Sequence, residues 1–356
     1  MRKASKYKVL AENLRKVILS GKYKHLDRFL TENELAVQHS LCRQTVRQAI
    51  ALLERENLLV RRRGSGTYIN LPRAVPKKTM RVGVISTYIT EYIFPSIVRG
   101  IESVLTDNGY SLLLTATRNR VDNERKLLKD YLQKSVDGLI VEGTKTTLPN
   151  PNLSLYREIR ELGIPIVFIN GYYPELKDSV YVVMDDYSGG LQAVRHLLSK
   201  GHRKIAGIFK SDDMQGHKRY AGFIQGLIDE DIPVEDDWVL WYTTETLDSF
   251  ADETVNTALR GALEACTAVV CYNDLLAVQL PDVLRRMGKC VPEDMTVVSF
   301  DNSHYSNLGI VQLTSLEHPK EELGKLAAQK LLNLIHGGTE EAEILPWKIE
   351  KRPALR

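Results

Sequence analysis

The sequence predicts two folds in one chain: a small α+β domain at the N-terminus and a much larger α/β body of two lobes. Three observations support this division. Residues 1–70 contain a helix capping box, an apolar helical stripe and a glycine-tipped hairpin. From residue 80 onward, short apolar strands alternate with amphipathic helices. The two parts also carry opposite net charge.

The N-terminal part begins with two predicted helices. The first is expected to run from Tyr7 to about Ser20 and to end at Gly21. Thr31 and Glu34 stand at capping-box spacing, so a short second helix begins there.

A third predicted helix is amphipathic, and its polar first turns form a candidate surface for DNA. Its apolar residues recur at helical spacing, namely Val46, Ala49, Ile50 and Leu53. Burial of that stripe leaves polar residues exposed at the start of the helix, namely Arg43, Gln44, Thr45, Arg47 and Gln48. Residues at this end of a recognition helix reach base edges, where Arg can read guanine and Gln can read adenine.

A basic hairpin is predicted to follow the third helix. The apolar stretches 58–60 and 67–69 flank the tip Arg61-Arg62-Arg63-Gly64-Ser65-Gly66. Glycine in this tip allows the backbone to approach a phosphate or a minor groove closely.

Three stretches, 31–35, 42–50 and 64–69, are similar to the winged helix-turn-helix of the GntR family of bacterial regulators. The resemblance covers about residues 5–70 and implies DNA binding. The candidate DNA contacts are Glu34, Arg43, Gln44, Thr45, Arg47, Arg63, Gly64, Ser65 and Gly66. Glu34 can equally act only as a helix cap, and Arg55 fits a solvated helix position. The chain departs from the family pattern at Cys42, where Ser or Thr is usual, and at 24–29, where Pro-Gly is usual.

Charge supports a nucleic-acid partner for this part of the chain. Residues 1–80 hold 18 basic and six acidic residues, a net charge of +12. The whole chain carries only +3, so residues 81–356 carry −9. A compact basic domain is typical of proteins that bind a phosphate backbone, although charge alone also fits a solvated basic surface.

Composition argues against several classes of protein. No apolar run approaches the ~18 residues that a membrane span needs. The first residues lack the apolar core of a signal peptide, so we expect a cytoplasmic protein. The four cysteines form no Cys-x-x-Cys pair, so reduced thiols are expected, with neither a zinc site nor a disulfide framework.

The domain boundaries follow from these patterns. Residues 1–70 form the predicted DNA-binding domain, and 71–79 read as a linker because they contain two prolines and no apolar period. Residues 80–356 exceed the usual size of one doubly wound sheet, so two lobes are expected. Nine strands are predicted, at 81–86, 111–115, 138–142, 166–170, 181–185, 204–209, 238–242, 268–272 and 296–300.

Polar residues gather where these strands end, and ligands of open α/β sheets bind outside the carboxyl ends of strands. Carboxylate, amide and guanidinium groups suit vicinal hydroxyls, and aromatic faces suit the C–H face of a sugar. Some of these residues can instead cap helices, as we expect for Asp274. Signatures of dinucleotide-binding, P-loop, zinc-protease and serine-hydrolase sites are missing or incomplete, so no enzyme activity is expected.

The stretches 219–223, 271–274, 291–301 and 313–319 resemble the effector-binding domain of LacI/GalR regulators, which is similar to periplasmic sugar-binding proteins. The resemblance covers nearly all of 80–356. It implies that Arg219 and Asp301 bind sugar hydroxyls. The full set of ligand-binding candidates is Tyr88, Tyr92, Glu142, Lys145, Asn170, Gln215, Arg219, Asn273, Asp301 and His318, with Phe94 shaping the same pocket. Glu142 and Lys145 can instead form an internal salt bridge, and His318 can be a buried hinge histidine.

Further stretches, including 92–103, 137–142 and 207–216, are similar to bacterial regulators that combine these two domains and respond to L-arabinose. The resemblance implies a repressor without a cofactor that binds operator DNA as a homodimer and releases it when L-arabinose binds. Another sugar, or a corepressor that strengthens DNA binding, remains open. A sugar-processing enzyme and a sugar-transport binding protein are alternatives of other classes.

Overall fold

The computed structural model describes residues 5–23, 27–56, 58–62, 65–70, 78–90, 92–252, 256–308 and 313–349. The chain divides into two compact units, Met1–Lys78 and Thr79–Arg356. Most of the linker predicted at 71–79 lies outside the described residues, since these resume at Lys78.

The first unit combines three α-helices with an antiparallel hairpin. Its elements are α1 (Lys6–Val17), a π-helical turn (Ile18–Lys22), α2 (Glu32–His39), α3 (Arg43–Arg55), β1 (Leu59–Arg62) and β2 (Gly66–Ile69). The predicted stripe of α3 is buried in the core of this unit, together with Leu14 and Leu35. The predicted capping box is also present. Thr31 Oγ1 accepts from the Glu34 N–H at 3.3 Å, and Glu34 Oε2 accepts from the Thr31 N–H at 2.7 Å.

One prediction about the first helix is wrong. The α-helical part ends at Val17, and a wider turn carries the chain on to Lys22, so Gly21 lies inside this turn and does not end the helix. Ile18 is fully buried whereas Val17 is 38% exposed. Burial of Ile18 favours continued coiling past Val17, and the Ser20 hydroxyl donates to the Val17 carbonyl at 2.8 Å.

The second unit has two lobes, each built on a six-stranded sheet. The strands are β3 (Arg81–Ser86), β4 (Ser111–Ala116), β5 (Gly138–Glu142), β6 (Ile166–Ile169), β7 (Val180–Met184), β8 (Ile205–Lys210), β9 (Val239–Tyr242), β10 (Ala268–Cys271), β11 (Thr296–Asp301), β12 (Thr314–Glu317), β13 (Glu343–Leu345) and β14 (Lys348–Ile349). The sheet of lobe 1 is parallel throughout, in the order β13-β7-β6-β5-β3-β4. The sheet of lobe 2 has the order β14-β12-β11-β10-β8-β9, and only β14 runs antiparallel to its neighbour.

Helices pack on these sheets. They are α4 (Phe94–Asp107), α5 (Val121–Gln133), α6 (Leu153–Glu161), α7 (Asp186–Ser199), α8 (Met214–Ile228), α9 (Leu247–Phe250), α10 (Thr257–Ala265), α11 (Asp274–Ala277), α12 (Leu280–Arg286), α13 (Tyr305–Leu308) and α14 (Lys320–Ile335). Nine strands were predicted and all nine are present. The sequence analysis missed β12, β13 and β14, which have only four, three and two residues.

Within the part of the chain that the structure describes, the backbone crosses between the lobes three times. It passes from β7 to α7 near Asp185, from β12 to α14 at His318, and from β13 to β14 at Trp347. As a result α7 packs beside α8 on lobe 2, while α14 packs beside α4 on lobe 1. The centroids of the His318 and Trp347 rings lie 5.7 Å apart, so two of these crossings are adjacent. The crossings at His318 and Trp347 are together called the hinge.

Candidate functional site

A cleft lies between the two lobes, at the carboxyl ends of their strands. Its cavity has a volume of about 450 Å³ and is lined by both lobes. The loops that follow parallel strands meet at this edge because parallel strands all end there. The following predicted ligand residues line the cavity: Tyr88, Tyr92, Glu142, Asn170, Gln215, Arg219, Asn273 and Asp301, together with Phe94.

Arg219, on α8, is buried at the lobe 2 side of this cleft and is only 1% exposed. Its Nε donates to Asp186 Oδ1 at 2.9 Å, and its Nη1 donates to the Tyr272 carbonyl. Its Nη2 lies 3.8 Å from Asp301 Oδ1. The guanidinium thus joins two carboxylates and one carbonyl, and this fixes its fork at the cavity wall.

Aromatic rings and close helix packing hold Arg219 in place. The guanidinium carbon lies 4.3 Å from the ring centre of Phe300 and 5.0 Å from that of Trp347. These are cation–π contacts in a desolvated setting. Helix α7 approaches closely at Gly190, where an added Cβ would lie only 2.0 Å from the Arg219 carbonyl oxygen.

The buried charges of this cluster perturb one another. Burial lowers the pKa of Arg219, but the carboxylates of Asp186 and Asp301 outweigh it, so the pKa is raised and the guanidinium stays charged. Burial raises the pKa of Asp186 to about 6 against the opposing effect of Arg219. Burial likewise raises the pKa of Asp301. Two carboxylates share one cation, which leaves acceptor capacity for hydroxyl donors.

The lobe 1 wall is formed by Glu142 and Asn170. Glu142 Oε2 accepts from the Thr87 N–H at 2.7 Å and from its hydroxyl at 2.6 Å, and Oε1 accepts from Asn170 Nδ2 at 2.9 Å. Burial raises the pKa of Glu142. Asn170 has a left-handed backbone (φ 60°), is 2% exposed, and its Oδ1 has no hydrogen-bond partner among the described residues. Because a buried carbonyl without a partner costs free energy, this oxygen is a candidate acceptor for a ligand hydroxyl.

The other cavity residues are held by local contacts. Gln215 Oε1 accepts from the Tyr272 hydroxyl at 3.2 Å. Asn273 Oδ1 accepts from the Leu276 N–H at 3.1 Å and so caps α11. This makes the prediction that Asp274 is the cap wrong, because Asp274 is buried one position later and accepts from the Ser299, Ser303 and Ser315 hydroxyls.

Hydrogen bonds join the two lobes around the cavity. Beside Asp301, the Tyr92 hydroxyl of lobe 1 accepts from the Asp274 N–H at 3.1 Å. On the other side, Asn119 Nδ2 donates to Thr244 Oγ1 at 2.6 Å. The Met214 N–H donates to Thr146 Oγ1 at 2.9 Å. These contacts bring the lobes together on both sides of the cavity.

Two predicted ligand residues lie elsewhere. The Lys145 ammonium pairs with Glu245 and lies 3.8 Å from Asp212 Oδ2, so it joins the lobes outside the cavity lining. The alternative of an internal salt bridge therefore holds for Lys145, with Glu245 and Asp212 as its partners and not Glu142. His318 is buried in the hinge against Trp347, and neither of its ring nitrogens has a partner among the described residues. Strand-end position could not separate these residues from those that line the cavity.

The sequence analysis missed several residues of the site. Asp186, the direct partner of Arg219, follows β7, and Lys210, Tyr242 and Tyr272 stand at or after the ends of β8, β9 and β10. All four share the strand-end position that identified the others. That signal was available, but it does not show which of the neighbouring residues turns inward.

The start of α3 is the candidate DNA surface of the first unit. Arg43 and Gln44 are exposed, and Thr45 is half-buried with its hydroxyl 3.1 Å from Cys42 Sγ. Arg47 is exposed but paired, since its Nη2 lies 3.1 Å from Glu32 Oε2. The Glu32 carboxylate also pairs with Arg61 of β1, again at 3.1 Å. This shared acid connects the helix with the hairpin.

The hairpin tip is only partly described. Ser65 is exposed, and its hydroxyl lies 2.5 Å from that of Tyr68. Gly66 has φ +124°, a backbone conformation that favours glycine. The predicted DNA contacts Arg63 and Gly64 lie outside the described residues. Glu34 belongs to the capping box of α2, which is the role of helix cap that the sequence offered as the alternative to DNA contact.

The chemistry of the cavity suits an uncharged ligand with several hydroxyls. Among the described residues, four carboxylates and two basic groups line it, namely Glu142, Asp213, Asp248 and Asp301 against Lys210 and Arg219. An anionic ligand would meet this excess of negative charge. Within the described part of the chain, no group of three or more His, Cys, Asp or Glu residues is arranged to hold a metal ion. No helix there is long and apolar enough to cross a membrane.

Comparisons with known proteins agree with both halves of this description. Residues 6–69 match the family of bacterial regulatory proteins of the gntR type, and residues 194–352 match the periplasmic binding protein-like domain. An arabinose metabolism transcriptional repressor from Geobacillus stearothermophilus is 41% identical over 93% of this chain and 91% of its own length. A second repressor of that name, from Halalkalibacterium halodurans, is 38% identical over 93% of this chain and 89% of its own length.

Solved structures support the same fold for the second unit. A LacI family transcriptional regulator from Enterococcus faecium with bound ribose has a TM-score of 0.63 and 27% sequence identity. The match covers 76% of this chain and 97% of that one. The large unit is therefore similar to a regulator whose structure contains bound ribose, a pentose.

Proposed function

Because the chain belongs to the family of bacterial arabinose metabolism transcriptional repressors, we propose that it is released from its operator when L-arabinose binds in the cleft between the two lobes. The observation that carries this proposal is the cavity itself. It combines the buried guanidinium of Arg219 and the buried carboxyl group of Asp301 with a buried Asn170 oxygen that has no hydrogen-bond partner among the described residues.

The ligand class follows from charge and hydrogen bonding. A pentose offers several neighbouring hydroxyls, each able to donate and accept. Glu142, Asn170 and Asp301 can accept from them, and the guanidinium of Arg219 can donate. The surplus of carboxylates over basic groups favours a neutral sugar over a sugar phosphate. The ribose in the Enterococcus faecium regulator is of this neutral class.

The coupling between sugar and DNA is proposed to act through the two lobes. A ligand that contacts both walls favours the arrangement in which the lobes are joined, as they are here by Tyr92 and Asn119. Sugar can shift the operator equilibrium only if it binds more tightly to the state with weaker DNA affinity. One winged helix-turn-helix reads only a half-site, so we propose that a homodimer binds the operator in the bacterial cytoplasm.

Operator binding measured with and without sugar tests the proposal. Full-length protein would be titrated onto an operator fragment at fixed salt concentration, alone and with millimolar L-arabinose, D-xylose or D-galactose. We expect L-arabinose alone to release the DNA. Release by another sugar would keep the repressor and change its effector. Tighter DNA binding with L-arabinose would reverse the sign of the response. Chemical conversion of the sugar would identify an enzyme.

A further inference from the structure

We propose that Tyr173 is a positioning residue for sugar binding, because its hydroxyl connects a buried carboxylate, Glu124, to the loop that carries one wall of the cavity. This inference rests on the proposed function in that it concerns the same cleft. Tyr173 itself does not line the cavity, so its role would act through the loop.

Glu124, on α5, is the centre of a buried polar network in lobe 1. The side chain has no exposed surface, yet four side-chain donors satisfy its two oxygens. Oε1 accepts from the hydroxyls of Tyr156 at 2.8 Å and Tyr173 at 2.6 Å. Oε2 accepts from the amide groups of Asn150 at 2.8 Å and Asn152 at 2.7 Å. A buried carboxylate with this many donors is a fixed anchor, since any movement would break several bonds at once.

Tyr173 extends this anchor to the cavity loop, residues 142–146. Its hydroxyl oxygen accepts from the Thr144 N–H at 2.6 Å, and it also lies 3.0 Å from the Thr144 carbonyl oxygen. Thr144 is completely buried. Without this hydroxyl, the Thr144 N–H would lose its acceptor, and a buried donor left unpaired lowers stability.

The cavity loop and the loop that carries Asn170 pack directly on each other. Glu142, Gly143 and Thr146 of the first loop line the cavity. Gly143 sits so tightly that an added Cβ would lie 2.6 Å from Thr146 Cγ2 and 3.2 Å from the Gly171 carbonyl. A shift of the Thr144 backbone would therefore disturb both loops that form the lobe 1 wall of the cavity, the one with Glu142 and the one with Asn170.

The protonation state of Tyr173 suits this role. Burial, and next the charge of Glu124, raise the pKa of its hydroxyl well above the ordinary value. The hydroxyl therefore remains a donor to Glu124 while its oxygen accepts from Thr144. Both bonds are needed to connect the anchor with the loop.

Tyr156 provides a matched control. Its hydroxyl donates to the same Glu124 oxygen, and its ring is as buried as that of Tyr173, 5.5 Å away. Among the described residues, Tyr156 makes no hydrogen bond to the cavity loop. If the network has a purely structural role, Tyr156→Phe and Tyr173→Phe should change loop exchange and sugar affinity equally. If Tyr173 positions the cavity loop, only Tyr173→Phe should change them.

The experiment compares wild type, Y156F and Y173F as full-length chains. Amide-resolved hydrogen exchange without sugar follows the cavity loop, and isothermal titration with L-arabinose gives the dissociation constant. For Y173F we expect the Thr144 amide to exchange at least about tenfold faster and sugar affinity to fall about tenfold, from loss of one buried bond. For Y156F we expect the exchange rate of the Thr144 amide and the affinity for L-arabinose to lie within about twofold of the wild-type values. Denaturant midpoints report the stability loss common to both variants.

Equal loop exchange in the two variants overturns the proposal, as does equal sugar affinity. If wild type does not bind L-arabinose, the proposed effector fails, and the exchange of Thr144 still decides the role of Tyr173. If Y173F does not fold, the wild-type protein decides it alone: a Thr144 amide that exchanges at the rate of an unprotected loop amide overturns the proposal.

Discussion

The Tyr92 hydroxyl, in lobe 1, donates a hydrogen bond to the Asp301 carboxylate, in lobe 2. Burial, followed by the charges of Asp301 and Asp274, raises the pKa of Tyr92 well above its ordinary value, so this hydroxyl keeps its proton. The backbone of Tyr92 has φ 61°, which costs of order 1–3 kcal/mol for a residue other than glycine. Such a conformation persists where its surroundings hold it, and here the interlobe bonds do so.

Tyr92→Phe tests whether this bond helps to close the lobes. The substitution keeps the ring and removes the hydroxyl that joins Tyr92 to Asp301 and Asp274. Closure then becomes more costly, and we expect L-arabinose affinity measured by titration calorimetry to fall about tenfold. Tyr187→Phe, at a half-exposed surface position, serves as control and should bind sugar as wild type does. Equal affinity in both variants would mean that the bond contributes nothing to closure.

Arg219→Lys should weaken sugar binding while the positive charge is kept. A lysine ammonium cannot reproduce the fork that serves Asp186, the Tyr272 carbonyl and Asp301. We expect affinity for L-arabinose to fall by at least ~30-fold and the free energy of unfolding to fall by ~1–3 kcal/mol.

The control for that substitution is Arg195→Lys. Arg195 is exposed and its Nη2 lies 2.9 Å from Asp229 Oδ2, so it makes an ion pair of similar length on the surface. Its replacement should change stability by no more than about 0.5 kcal/mol and leave sugar affinity unaltered. Wild-type sugar affinity in the Arg219 variant would remove this residue from the binding site.

Arg43→Ala should weaken operator binding by roughly 1–3 kcal/mol because Arg43 is exposed at the first position of α3. Arg55→Ala, at the last position of the same helix, removes the same charge and should have a much smaller effect. Fluorescence anisotropy with a labelled operator at several salt concentrations separates base reading from general charge. Equal losses in the two variants would contradict the assignment of α3 as the recognition helix.

The capping box, the stripe of α3 and nine strands of the second unit could be predicted because each depends on neighbouring residues. The π-helical turn at Ile18–Lys22 was missed, since it depends on how Ile18 packs in the core. Strands β13 and β14 are too short to show a pattern, and only the tertiary fold reveals that the chain crosses between lobes at Trp347.

Part of the cavity lining could also be predicted from local sequence patterns. Strand ends identified Glu142, Asn170 and Asp301, because the position of a strand end follows from local pattern. Lys145 follows the same strand as Glu142, yet it turns to Glu245 of the other lobe. The loop conformation decides between these outcomes, and Lys145 has φ 46° there, which no local sequence signal predicts.

The buried His318 in the hinge should make the stability of the second unit depend on pH. Burial, and then the charges of Lys320 and Arg219, lower its pKa to about 3 from an ordinary value near 6.5. The unfolded chain therefore binds a proton between these values and the folded chain does not. The contribution of neutral His318 to the free energy of unfolding is fully present above about pH 6.5 and decreases as the pH falls toward 3.

His318→Leu removes this contribution. The free energy of unfolding, followed by the fluorescence of the three tryptophans at 238, 241 and 347, should fall less steeply in the variant as the pH is lowered. Near pH 5.5 the two slopes should differ by about 1 kcal/mol per pH unit. Asp186, whose pKa is raised to about 6, acts in the opposite direction and is present in both proteins, so comparing the slopes reduces its effect. Above pH 7.5 the two slopes should coincide. Parallel slopes at all pH values would mean that His318 takes up its proton in the folded hinge as readily as in the unfolded chain.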